Sequence, residues 1–191
     1  MKSLIFVLLA IFLVSASLAA QAGVSIPVAT ASRAVVSDAS PGEVADFEFT
    51  DFAGKKRKFS EYRGNVVLLD FWATWCGPCL ADIPKLKKIY EKHKSDGFEI
   101  IGMNAETIGD EDPDPAFAKE AATRARQIVA TRGAIWTQAT AASSLPVAVD
   151  VFGVKVLPTK VLIGRDGRII ARLGEKDDTE KVVAAAMAVK K

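Results

Sequence analysis

DFWATWCGPCL, residues 70–80, holds both cysteines of the chain, Cys76 and Cys79, with only Gly77 and Pro78 between them. The run that leads into it, Asn65–Trp72 (NVVLLDFW), is almost wholly apolar, as a central strand buried on both faces requires. Beyond it, Leu80, Ile83, Leu86, Ile89 and Tyr90 recur at the spacing of one helix face. The cysteines therefore stand where a strand turns into a helix. Pro84 falls inside that helix and should kink rather than end it, because the apolar period continues past it. Gly97 closes the helix, and Phe98–Met103 (FEIIGM) supplies the next strand of a βαβ unit.

Three uses of such a pair are open: a staple, a metal clamp or a redox couple. A bridge enclosing two residues removes little chain entropy, and a chain of 191 residues that is 50% hydrophobic can build a core without it. Structural zinc needs four donors, whereas this chain has two cysteines and one histidine, His93. Redox exchange is the reading that meets neither objection, with a structural disulfide or a metal as the alternatives. His93, near the end of the first helix, reads as a surface residue that suits the negative helix terminus.

The rest of the chain surrounds that unit. Lys2, an unbroken apolar run from Leu4 to Val14 and small residues up to Ala22 have the layout of a secretory signal peptide. Cleavage before Gly23 follows Ala20-Gln21-Ala22, with Ser17-Leu18-Ala19 as a second site. The alternative is an uncleaved N-terminal membrane anchor, since extension to Ala20 gives about 17 residues, the lower limit for a span. No cysteine follows the run, which excludes a lipoprotein anchor. Both readings deliver the remainder outside the cytoplasm, to a periplasm or beyond. Residues 1–22 are thus the leader, 23–40 a small, polar linker, and 41–191 one folded domain. The net charge of +2 gives no reason to expect nucleic acid as a partner.

Within the domain, Asp46–Thr50 and a strand around RKFS, joined by DFAGKK, suggest an N-terminal hairpin. Gly109–Pro115 (GDEDPDP) is an acidic loop leading into a helix over about 116–132; the acidic run suits a helix N-terminus, with a calcium loop as the alternative. A short strand is expected at Trp136–Ala139 and a short helix at Pro146–Phe152. Lys160–Ile163, the turn GRDG and Arg168–Leu173 form a second hairpin, and Asp178 caps a C-terminal helix that reaches about Val189. The class is α/β.

FWATWCGPC resembles the thioredoxin active site, and VADFEFTDFAGKKRKFSEYRGNVVLLDFWATWCGPC with FGVKVLPTKVLIGRDGRII resembles the TlpA/ResA-like branch of exported thiol-disulfide oxidoreductases. The likeness covers about residues 42–190. It implies a thioredoxin fold: a central mixed sheet flanked by helices, with the N-terminal hairpin and a helical insertion over 109–145. It also implies that Pro158 is a cis-proline facing the dithiol, within Leu157-Pro158-Thr159, so that the backbone of Leu157 can pair with an extended client segment. Gly77 and Pro78 match the thioredoxin dipeptide, which implies a fairly reducing pair. Asp70 matches the buried aspartate of cytosolic thioredoxins, but the lysine that partners it there has no counterpart, since Gly102 stands in its place. An unpaired buried carboxylate should hold its proton more tightly than usual, which suits proton transfer. Glu106, in MNAET, lies near the family's acidic residue and is a possible acid or base.

Disulfide exchange needs an ionised sulfur to attack and a second thiol to resolve the mixed disulfide. Cys76 sits at the helix start, where free backbone N–H groups favour a thiolate and where it should be exposed; Cys79, almost a turn on, should face inward. Cys76 is the expected nucleophile and Cys79 the resolver. Trp72 reads as core, and Trp75 as part of the client surface. The implied partners are cysteine-containing clients, apocytochrome c among the family's candidates, and a membrane electron donor to recharge the pair. No cofactor is implied. A thiol peroxidase is the alternative enzyme, because SEYRGNVVLLDFW also resembles peroxiredoxins, but Thr74 is at the wrong offset for their site and its proline is missing. A non-enzymatic binding module on the same fold is the third reading.

Overall fold

The computed structural model describes residues 42–110, 112 and 114–189. The expected leader and linker lie outside the described residues. Among the described residues, no helix is long and apolar enough to cross a membrane.

The strands are β1 (Glu48–Thr50), β2 (Lys56–Lys58), β3 (Val66–Trp72), β4 (Phe98–Asn104), β5 (Thr137–Ala139), β6 (Thr159–Ile163) and β7 (Ile169–Leu173). The helices are α1 (Gly77–His93), α2 (Pro115–Arg132), α3 (Ala141–Pro146) and α4 (Thr179–Ala188). A five-stranded sheet runs in the order β5-β4-β3-β6-β7, parallel from β5 to β3 and antiparallel from β3 to β7. β1 and β2 form the expected antiparallel hairpin, which is stitched to the β5 edge by Phe52 N–H to Gln138 C=O at 2.8 Å and Thr140 N–H to Thr50 C=O at 2.8 Å.

The apolar run of β3 feeds two cores because successive side chains point to opposite faces. Val67, Leu69 and Phe71 join Phe47, Phe49, Phe59 and Phe152 on one side. Val66 and Leu68 join Ile83, Leu86 and Ile89 of α1 and Val183 and Ala186 of α4 on the other. Asp70 shares the parity of Val66 and Leu68 and so lies on the face that α1 covers.

Pro84 lies in α1, which continues to His93, as the apolar period predicted. A proline in mid-helix cannot donate to the carbonyl four residues back, which here is Leu80. Arg132 of α2 supplies the missing donor, its Nη1 standing 3.0 Å from the Leu80 oxygen. α2 starts on Asp114, whose carboxylate accepts from Ala116 N–H at 2.8 Å, so the acidic loop does cap that helix. α4 starts on Asp178, as expected, with Lys181 N–H as donor at 3.0 Å. One helix differs. The segment expected at Pro146–Phe152 is helical from Ala141, and Val147–Val151 continues it as a wider π turn. Thr140, in extended conformation with its hydroxyl 3.0 Å from that of Ser143, opens this helix; a threonine start among small residues is a weak signal beside the proline. His93 does end α1, but its ring packs edge-on against Phe98 at 6.3 Å rather than lying free on the surface.

Candidate active site

Cys76 is the N-cap residue of α1, and Gly77 and Pro78 form the first helical positions. Proline is at home there, because a first-turn N–H has no helical partner to lose. The Cys76 sulfur accepts the backbone N–H of Cys79 at 3.3 Å, so one of the helix's free donors is already aimed at it. The two cysteines are joined as a disulfide with Cα atoms 5.3 Å apart. Gly77 and Pro78 are exposed and Cys79 is buried, as expected. Cys76 was expected to be open, yet it is only 4% exposed. Its surroundings explain the difference: Trp72, Ala73 and Ala125 pack around the cysteine pair, with Phe52, Leu80, Ile128, Val129 and Leu157 against them.

Ala125, Ile128 and Val129 belong to α2, so the inserted helix is a wall of the site rather than a remote appendage. Arg126 ties it to the hairpin turn, donating to the Phe52 carbonyl while its guanidinium lies 4.9 Å from the Phe52 ring centre. The loop before β6 also reaches the site. Leu157-Pro158 is a cis peptide, and Leu157 packs against the cysteine cluster. Val156, Leu157, Pro158 and Thr159 line an open groove of about 430 Å³. Thr159 turns its hydroxyl back to the Val156 carbonyl at 2.7 Å and thus braces the turn. Trp75 is 55% exposed, while Trp72 is buried with its indole N–H on Gln138 Oε1 at 3.1 Å.

Glu106 holds the loop that carries Trp75. Its carboxylate accepts from Thr74 N–H at 2.9 Å and from the Thr74 hydroxyl at 2.5 Å, and its backbone carbonyl accepts the Trp75 indole N–H at 2.8 Å. The carboxylate expected as an acid or base is thus engaged on Thr74, and Thr74 spends its hydroxyl there. Glu106→Ala strands both Thr74 donors in a buried place, at about 1–3 kcal/mol for each such group. We expect urea unfolding to show a loss of at least about 2 kcal/mol; a change below about 0.5 kcal/mol would deny Glu106 this role.

Asp70 is buried, and its carboxyl is pushed up to about 6: burial raises it, the Lys160 charge lowers it and the Asp82 charge raises it again. The raised value agrees with expectation, but the carboxylate is not without a lysine. Lys160 pairs with Asp70 across β3 and β6, is 1% exposed, and places its ammonium 2.7 Å from Asp82 Oδ2 on α1. The position across β4 is indeed Gly102, and the Gln138 side chain fills the space over it. Lys160 and Asp82 are the site residues that reading the sequence missed. The only trace was a lysine inside the apolar pattern TKVLI.

The comparisons agree with this geometry. The Redoxin family model matches residues 21–188. The thiol-disulfide oxidoreductase ResA of Bacillus thuringiensis subsp. konkukian is 30% identical over 143 residues, covering 73% of this chain and 72% of that protein. ResA of Bacillus anthracis is 30% identical over 138 residues, covering 69% and 67%. Among solved structures, a candidate DsbE-type thiol:disulfide interchange protein from Chlorobium tepidum is 29% identical with a TM-score of 0.64, over 80% of this chain and all of that one. A second Chlorobium tepidum interchange protein, 22% identical with a TM-score of 0.61, shares the fold over 80% of this chain. With a Cys-x-x-Cys pair at the head of α1 and these relatives, the chain belongs to the Redoxin family, among its ResA-like thiol-disulfide oxidoreductases.

Proposed function

We propose that this enzyme is exported and reduces disulfides of extracytoplasmic proteins, with Cys76 as nucleophile and Cys79 as resolver. The observation that carries the reading is the capped sulfur: Cys76 holds the N-cap of α1, where a backbone N–H and the helix terminus both favour a thiolate. In the first step the Cys76 thiolate attacks a client disulfide and one client sulfur leaves as thiolate. In the second, Cys79 gives its proton to Asp70 and attacks the Cys76 sulfur. That closes the Cys76–Cys79 bond and releases the other client sulfur, so two electrons pass to the client.

The loop at Leu157-Pro158, packed against the cysteine cluster, suits an extended client segment, and the α2 residues that cover the same cluster limit which segments fit. The apolar N-terminal run supports export, by a cleaved leader or as an anchor. Recharging then calls for an electron donor in the membrane, and the family resemblance makes apocytochrome c, or another oxidised client, the substrate.

Insulin reduction in the presence of a dithiol tests the activity, and equilibration with glutathione measures the potential. The Gly77-Pro78 pair resembles that of thioredoxin, for which about −270 mV is typical, so a value well below about −180 mV is expected. A potential above that mark would reverse the direction and make the protein an oxidant or isomerase.

A further inference from the structure

A buried lysine shared by two carboxylates is costly unless each charge has a partner. Lys160 is one such residue. Its position across from Asp70 on β3 puts the two side chains on the same sheet face, and its ammonium continues to Asp82, one turn beyond Cys79 on α1. Asp82 is also held by Lys85 at 3.1 Å, and its side chain is 16% exposed in a cleft of about 330 Å³. The charged groups facing that cleft are Lys85 and Lys88 from α1, Glu175, Asp177 and Asp178 from the loop after β7, and Glu180 from α4. In the register of β4 and β5, the positions beside Asp70 are the uncharged Gly102 and Gln138.

We propose that Lys160 is a positioning residue for the dithiol's proton transfer: by committing its ammonium to Asp82 it keeps that carboxylate as a fixed charge and leaves Asp70 as the group that takes and returns a proton. The proposal rests on the reading that Asp70 accepts the Cys79 proton. The two carboxyls differ in the way this division requires. Burial alone would raise Asp82, but the Lys160 hydrogen bond and charge, aided by Lys85, hold it below the usual carboxylate range. Asp70 has the same lysine only as a neighbouring charge, and burial prevails. When Asp70 is protonated the trio carries no net charge; when it is ionised the trio carries one negative charge. Cys79 can therefore lose its proton to the cluster without leaving a second uncompensated anion inside the fold.

Two variants push Asp70 in opposite directions, which a general loosening of the core does not do. Asp82→Asn removes a like charge and frees Lys160 for Asp70, so the Asp70 midpoint falls; Lys160→Met removes the cation, so it rises, each by at least about one pH unit. Lys160→Arg keeps the charge and holds the midpoint near the wild-type value. The measurement is carboxyl-carbon NMR titration of Asp70 in the reduced full-length protein. Alongside it, the stopped-flow reaction with dithiobis-nitrobenzoate is followed, whose second thionitrobenzoate release reports Cys79 attack. Opposite shifts for Asp82→Asn and Lys160→Met establish the assignment; if Lys160→Met does not fold, a downward shift in Asp82→Asn with none in Lys160→Arg does so. Midpoints that stay put or move together overturn it. The parent reading is judged separately: if Asp70→Asn keeps the same pH profile in the second release, Asp70 is not the proton acceptor, whatever Lys160 does to its midpoint.

Discussion

Cys79→Ser converts the enzyme into a trap. The variant keeps the backbone N–H of residue 79 that points at the Cys76 sulfur, so the attacking thiolate is formed as before. What it lacks is the second thiol held in place beside that sulfur, with Cα atoms 5.3 Å apart in the disulfide. Well-oriented groups within one molecule react as if present far above ~1 M, so release by a thiol supplied from solution at about 1 mM is slower by at least about a thousandfold. Client should accumulate on Cys76 and migrate as a covalent adduct on non-reducing gels, disappearing when a reductant is added. Cys76→Ser should yield no adduct at all. If Cys79→Ser turned over insulin near the wild-type rate, or if the adduct formed on residue 79 in Cys76→Ser, the order of the two sulfurs would be reversed. The same adducts, isolated from the native compartment and identified by mass, name the clients.

The second large effect concerns stability. Asp70 ionises near 3.8 when exposed and near 6 in the fold. Below the lower value the group is protonated whether the chain is folded or not, and its burial adds no pH-dependent cost. As pH rises from about 3.8 to about 6, the unfolded chain gives up this proton while the folded one keeps it, so stability drains away across that window and stays low above it. At about 1.4 kcal/mol per pH unit the full cost is on the order of 3 kcal/mol. Asp70→Asn, which has the same shape and no charge to bury, should therefore be more stable than the wild type by up to about that amount at pH 7.5 and no more stable at pH 3.5. Comparing the two oxidised proteins by urea unfolding at both pH values cancels the opposite trend of Asp46 and Asp51, whose carboxyls are held low. Equal stability at pH 7.5 would mean that Asp70 is better solvated, or closer to Lys160, than its burial implies. A gain in stability bought with a slower second step of exchange is the expected signature of a group kept for chemistry rather than for folding.

α2 shows how the fold and the site join. Its existence over about 116–132 was legible in the sequence after the acidic loop, but its role was not. Ala121 and Ala125 are small, so their burial leaves no strong apolar stripe, and Ala125 covers the cysteine pair. Nothing in the sequence marks Arg132 or Arg126, yet one replaces the donor that Pro84 removes and the other clasps the Phe52 turn. Glu106 was legible as a neighbour of the site. Its attachment to Thr74 and Trp75 depends on how the end of β4 meets the loop after β3.

Sequence alone settled the features that depend on short stretches: the strand-to-helix junction, the sulfur at the helix start, the helix start at Asp178, and a β3 buried on both faces. These rest on backbone geometry and side-chain direction within a few residues, which any reader of the chain can apply. Tertiary structure alone decided that Asp70 and Asp82 share a lysine lying 78 positions from Asp82. That meeting depends on the register between β3 and β6, and register is set by the packing of both sheet faces at once. A slip of one residue would have pointed Lys160 into the phenylalanine core instead.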